Sequence, residues 1–457
     1  METIIMKVIL IVVAILGIYI IYRKKDKSEL IINNVFWLFA SWVFCLGLYF
    51  FSGIKYTFNL NINSFVYILL FWGVFLLGQY ILKKIFKKKD EQKKELSDFS
   101  KKINLIPLFI VSLISVIIYA IYIIAINNIQ IGVTRNINTN AFATFLLIIS
   151  NSSLVIWIYE LAYAILNEKK ISWYGLVSIV IYNLPGIIIS GRDALMIFVL
   201  STVIVFLYCV SYVKNVLKKE SKILKNIIKY AIWAVIIMLI YLVFLSSNRY
   251  GTGEDATIKM FRWSAGCEIP KYLENIYYKL GGFGKLILNL VFYYSSQISK
   301  FALMFEEYEG PYLGGLYQLH YVSRLLPENW NLDYSLVNNK IAEIASNRGV
   351  QGLKVFWETT IGYSIYDFGR IGALIISFIS GIITEIVNNW CKSKRNVLKI
   401  VIQTFICVAI FLTIQLSPVF DYYYIFPLFW IVIIVLWNYI KEKRKKINEA
   451  RSSNCNI

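Results

Sequence analysis

The chain has 457 residues, of which 58% are hydrophobic, 16% aromatic and 16% charged. A soluble domain is about 45–50% apolar and about 25% charged, so one water-soluble core cannot absorb this excess. Repeated apolar runs of about 20 residues predict an all-α, polytopic membrane protein instead, and they lack the short alternating segments of a β-barrel. The formal net charge of +20 is not a nucleic-acid signature, because most of it lies in short loops between apolar runs, which is membrane topology. Cys45, Cys209, Cys267, Cys391, Cys407 and Cys455 are scattered without metal-ligand spacing, so neither zinc nor a structural disulfide is expected.

About eleven spans are predicted, near Thr3–Tyr22, Ile32–Phe51, Ile62–Leu82, Leu105–Ile126, Ala141–Leu166, Trp173–Ile189, Ala194–Val213, Tyr230–Leu245, Ile365–Val387, Ile400–Leu416 and Tyr422–Ile440. The first lacks a small-residue cleavage site before "RKKDK" and reads as a retained helix rather than a signal peptide. Alternate loops are lysine-rich: "RKKDK", "KKIFKKKDEQKKELSDFSKK", "NEKK", "KNVLKKESKILKNIIK", "CKSKRN" and "KEKRKK". The positive-inside rule makes these cytoplasmic, with the N-terminus outside and the C-terminus inside. Three regions follow: N-terminal spans in 1–245, a large external loop in 246–364, and C-terminal spans with a basic tail in 365–457. Within the loop, Lys285–Phe305 carries Lys285, Lys300 and "SSQ" in an apolar stretch. It reads as an amphipathic helix at the outer interface, because a span there would place "CKSKRN" outside.

The arginines reverse the lysine pattern. Arg135, Arg192, Arg249, Arg262, Arg324, Arg348 and Arg370 all fall on the predicted outer side. Topology needs only charge, whereas a guanidinium offers a planar fork that matches phosphate oxygens in pairs. The set therefore points to an anionic ligand on the outer face, the competing reading being salt bridges to the many carboxylates of the same loop.

Between two apolar runs, "ISGRDALM" leaves Arg192 and Asp193 at an outer turn where a helix descends. Helix N-termini carry unpaired N–H groups and bind anions. Asp193 caps the helix or holds Arg192, and a charge at membrane depth costs roughly 2.5–3.5 kcal/mol. "YSIYDFGRIGALIIS" repeats the pattern with Asp367 and Arg370, whose i,i+3 spacing lets the two charges meet on one helix face. Asp421 opens the last span. In the long loop, Arg249 follows the eighth span, Arg348 lies in "ASNRGVQG", and the single histidine, His320, precedes Arg324 by four residues. The deep spans are nearly free of charge, and no internal repeat, phosphate-binding glycine loop or His/Cys cluster is present, which speaks against a transporter and a nucleotide-using enzyme.

The elements "ISGRDALM" and "YSIYDFGRIGALIISFISG", with a long external loop between them, resemble the bacterial O-antigen and capsular polysaccharide polymerases, the Wzy-type repeat-unit polymerases. Gly191-Arg192 matches the family's first turn, and Tyr366, Asp367, Phe368, Gly369 and Gly372 match its Tyr-x-Asp-Phe-Gly-x-x-Gly element; Asp193 departs from the family pattern. The resemblance implies a GT-C-type glycosyltransferase of the bacterial cytoplasmic membrane. It would move a growing glycan from undecaprenyl diphosphate onto a new lipid-linked unit, with no cofactor or metal and no nucleic acid. Its partners would be undecaprenyl-diphosphate-linked glycans, membrane lipid, and a chain-length regulator and flippase of the same pathway. The leaving diphosphate needs its charge neutralised, for which Arg192, Arg249, Arg324, Arg370 and Arg348 with Asp193 are the candidates. The acceptor hydroxyl needs a base, with His320 first, Asp367 second, and Glu306 or Glu307 open. A ligase for the finished polymer and a flippase for lipid-linked sugars are the competing expectations.

Overall fold

The structure, a computed structural model, describes residues 2–23, 27–90, 98–126, 141–188, 191, 193–215, 256–319, 335–350, 352, 358–393 and 395–454. The helices are α1 (Glu2–Arg23), α2 (Lys27–Ile31), α3 (Asn34–Phe51), α4 (Ile62–Asp90), α5 (Ile106–Ile121), α6 (Ala141–Ser150), α7 (Ser152–Leu166), α8 (Trp173–Ile188), α9 (Asp193–Asn215), α10 (Ala256–Ala265), α11 (Lys271–Glu307), α12 (Ser335–Asn347), α13 (Thr360–Lys392), α14 (Val397–Leu412) and α15 (Tyr422–Asn454). Strands β1 (Lys55–Tyr56) and β2 (Cys267–Glu268) pair antiparallel, Lys55 opposite Glu268.

Among the described residues, eight helical stretches, one of them made of α6 and α7 together, are long and apolar enough to cross a membrane, and Trp173–Ile188 and Val397–Leu412 are apolar but shorter. All ten coincide with predicted spans; the eleventh, Tyr230–Leu245, lies outside the described residues. The protein is an all-α polytopic membrane protein in architecture. The packing of α5 shows why these segments suit lipid. Ile106, Ile110, Ile114, Ile117 and Ile121 form an exposed apolar stripe, while Phe109, Ser112, Ser115 and Tyr119 turn inward. Helices in lipid gain nothing by burying more hydrocarbon, so small and polar side chains make the contacts. Ser115 Oγ accordingly donates to the Leu146 carbonyl at 2.9 Å.

The chain forms two compact units, each built from separate stretches. The first comprises Met1–Leu96, Phe206–Lys394 and Ile406–Asp421; the second comprises Ser97–Val205, Arg395–Phe405 and Tyr422–Ile457. In the first unit α4 and α13 run parallel in close contact. Tyr67 reaches the Arg370 carbonyl at 2.6 Å and Ser377 the Phe71 carbonyl at 2.7 Å. A Cβ on Gly381 would stand 2.1 Å from the Phe75 carbonyl oxygen, so only glycine fits this crossing.

Helix α11 begins and ends at one connection, that between α3 and α4. Tyr272, near its start, donates to the Ser52 carbonyl, and Ser299, near its end, to the Phe58 carbonyl at 2.7 Å. Gly281, at φ 51°, folds the helix back on itself, and Gly284 packs against the carbonyls of Ile276 and Tyr277. A helix whose two ends meet the same short connection does not cross a membrane. The expectation of a water-facing polar side on this helix is corrected: Ser295, Ser296, Gln297 and Lys300 are buried, while Phe283 and Leu290 are exposed. In apolar solvent the amphipathic pattern turns inside out.

In the second unit α7 is buried along its whole length. Trp157 Nε1 donates to Thr202 at 2.9 Å and Trp430 Nε1 to the Ile148 carbonyl at 2.6 Å. The predicted span Ala141–Leu166 is two helices parted at buried Asn151. Glu160, inside that span, pairs with Lys102 at 3.0 Å and accepts from Tyr174 at 2.6 Å. Burial penalises the Lys102 ammonium, and the carboxylate more than offsets this, leaving its pKa above the ordinary lysine value.

Candidate functional site

The element that carries the polymerase resemblance is not a plain helix entry. Helix α13 is broken at Gly369, whose φ of 69° and ψ of 178° lie outside helical space. In its first turns Ile361–Asp367 are buried; Thr359 caps them, accepting from Gly362 N at 3.3 Å. A Cβ at Gly369 would approach the Tyr312 ring at 3.5 Å, at a φ that other residues adopt at a cost.

Asp367, 1% exposed, sits just before the break. Its carboxylate accepts from the backbone N–H of Tyr317 at 2.9 Å and of Gln318 at 3.2 Å, and its carbonyl accepts from Gly314 N at 2.8 Å. Gly314 and Gly315, both at positive φ, turn the chain so that these N–H groups converge. The aspartate thus holds the loop that leads directly into His320 and Arg324.

The expected meeting of Asp367 and Arg370 on one helix face is corrected, because the break separates them. The Arg370 guanidinium instead reaches the Phe305 and Glu306 carbonyls, the latter at 3.3 Å, and lies 4.9 Å over the Phe305 ring. A cation at a helix C-terminus satisfies orphan carbonyls and the helix dipole. Exposed Arg348 pairs with Glu307, Arg262 with Glu274 at 2.5 Å, and Glu306 accepts from Asn61. These three arginines therefore have protein partners. Asp193 is the first residue of α9, in the second unit, and Asp421 is buried just before α15. Arg192, Arg249, His320 and Arg324 lie outside the described residues.

Beside Asp367 is a buried ionisable cluster that the sequence reading missed. Glu358, 1% exposed, accepts from Tyr366 at 3.0 Å and from Thr359 N at 3.0 Å. Burial raises its pKa, and Lys300 opposes that rise only in part; burial correspondingly lowers Lys300. Tyr308, Tyr317 and Tyr363 surround Tyr366 with ring centroids 4.8, 5.6 and 6.4 Å away. Burial lifts the Tyr308 and Tyr317 phenols above their ordinary range. The one sequence signal was Lys300 within "SSQISKFALMF", a lysine in an apolar run.

Comparison with known proteins finds no matching family model, and no curated protein or solved structure that matches the chain.

Proposed function

We propose that this chain polymerises lipid-linked oligosaccharide repeat units into O-antigen or capsular polysaccharide at the outer face of the bacterial cytoplasmic membrane. The acceptor hydroxyl oxygen attacks the anomeric carbon of the growing glycan. The bond from that carbon to the diphosphate oxygen breaks, undecaprenyl diphosphate leaves, and the hydroxyl proton passes to a base. His320 is that base in this reading, and Arg192, Arg249 and Arg324 meet the charge on the leaving diphosphate. Asp367 is a positioning residue, because both its carboxylate oxygens are committed to the backbone of the loop entering His320.

The observation that supports this reading is the broken helix at Asp367–Arg370. The same residues that carry the family resemblance form a built joint, with Asp367 and Gly369 buried, rather than a uniform span. A second support is direction. The positive-inside topology requires α4 and α13 both to descend from the outer face, and they run parallel.

The test is a glycan ladder. The gene is deleted, then wild type or Arg192→Ala is restored at matched membrane levels, and the glycans are separated by size. The expected result is a single repeat unit in the deletion, a full ladder with wild type, and a single unit again with Arg192→Ala. An unchanged ladder in the deletion removes the reading. Long polymer retained on its lipid indicates a ligase, and single units retained inside the cell indicate a flippase.

A further inference from the structure

At the end of α4 and α13 remote from the broken helix, a cavity of about 340 Å³ opens between the start of α3 and the last turns of α4 and α13. It is polar at its base. Glu385 is 6% exposed and makes no hydrogen bond or ion pair with another described residue. Asn34 and Gln79, 4% and 5% exposed, line the same cavity with side-chain N–H groups that have no partner. The Asn34 oxygen is already taken by Val35 N at 3.0 Å, which leaves its NH₂ group for the cavity. Buried amide groups without partners are expensive, and a ligand that supplies those partners removes the cost, while the Glu385 carboxylate opens on the same cavity.

The lining also specifies which ligand. The buried carboxylate calls for a cation with hydrogens to donate. Lys83 and Lys392, both in the lining, lie at the ends of the apolar stretches Ile62–Ile85 and Thr360–Lys392, where phosphates of the bilayer surface are found. Glu29, the other carboxylate of the lining, is engaged within the protein. Leu76 and Tyr80 line the cavity and are exposed, so the opening adjoins an apolar, lipid-facing surface. An amine deep, a phosphate at the rim and hydrocarbon alongside are the three parts of one molecule. We infer that this cavity binds the headgroup of an ethanolamine phospholipid, with its ammonium on Glu385, its phosphate toward Lys83 and Lys392, and its acyl chains along Leu76 and Tyr80. This inference concerns the opposite end of the first unit from the broken helix and does not rest on the polymerase reading.

The full chain in detergent is titrated with dioleoyl phosphatidylethanolamine, phosphatidylcholine or phosphatidylglycerol, and bound lipid is counted by native mass spectrometry. One ethanolamine lipid is expected to bind roughly tenfold more strongly than either of the others, because choline cannot donate a hydrogen bond to the carboxylate and glycerol carries no charge. Glu385→Gln is expected to erase that preference. Equal binding of ethanolamine and choline lipids to wild type overturns the inference, as does an unchanged preference in Glu385→Gln. Should that variant fail to fold, the wild-type headgroup comparison decides alone. Soluble glycerophosphoethanolamine raising the melting temperature as much as the lipid overturns the lipid assignment. So does a sodium-dependent rise without lipid preference, which marks a metal-ion site.

Discussion

At the residue scale, buried charge organises the first unit. Lys300 and Glu358 sit where an unpaired ion costs several kcal/mol, and the protein responds by disfavouring charge on both. The pH dependence follows from Glu358. Its folded pKa, pushed up to about 7 by burial, exceeds the unfolded value near 4.5, so the folded state binds the extra proton between the two. Its contribution is fully present below the unfolded pKa and is lost as pH rises through the folded one. Glu358→Gln removes this titration. Melting curves in detergent at pH 4.5 and pH 7.5 should therefore show the variant gaining on wild type at the higher pH. Parallel melting of the two across that range contradicts a raised Glu358.

At the element scale, glycine sets what the helices can do. A single leucine at Gly381 drives its side chain into the Phe75 backbone, which cannot yield as a flexible side chain would. Gly381→Leu should cost about 3 kcal/mol or more by overpacking and strain, read as a lowered melting temperature. Gly47→Leu is the matched control, since a Cβ there meets nothing within 4 Å. Equal losses at both positions would mean that α4 and α13 are not tightly seated. The spans themselves were legible as apolar runs, because hydrocarbon thickness fixes their length. Their breaks were not. Asn151, Gly281 and Gly369 interrupt helices that periodicity alone makes continuous, and the i,i+3 reading of Asp367 and Arg370 fails at such a break. Polarity also misled at Lys300, which points into the protein, as do Glu160 and Glu385, where in water such residues would mark its surface. Spans nearly free of charge by sequence thus hold paired or cavity-facing carboxylates. What the sequence located at the candidate site was the motif around Asp367; its partners Tyr317 and Gln318 come from another part of the chain and share no spacing with it, and Glu358, just upstream, is tied to it only through the fold and the Tyr366 hydroxyl.

At the scale of the whole molecule, the first unit restricts topology without reference to loop charge. Helix α11 returns to the connection it started from, so it leaves α10, β2 and the start of α13 on the side of β1. Helices α4 and α13 then run from that side together, and their far ends carry Lys83 and Lys392. Positions near β1 and positions near Lys392 must therefore face opposite sides of the membrane, whichever side is which. The positive-inside rule adds the sign, placing β1 outside. Cysteine labelling of intact cells separates the two statements. The five described cysteines are buried, so background labelling is low once Cys455 is changed to serine. With a membrane-impermeant maleimide, Lys55→Cys and Lys271→Cys should label in intact cells, and Lys392→Cys only after permeabilisation. The reverse pattern would keep the packing and overturn the orientation, and with it any chemistry assigned to the outer face. Labelling of Lys271→Cys and Glu309→Cys, at the two ends of α11, from opposite sides would instead mean that α11 crosses the membrane, which its two anchors to the α3–α4 connection forbid.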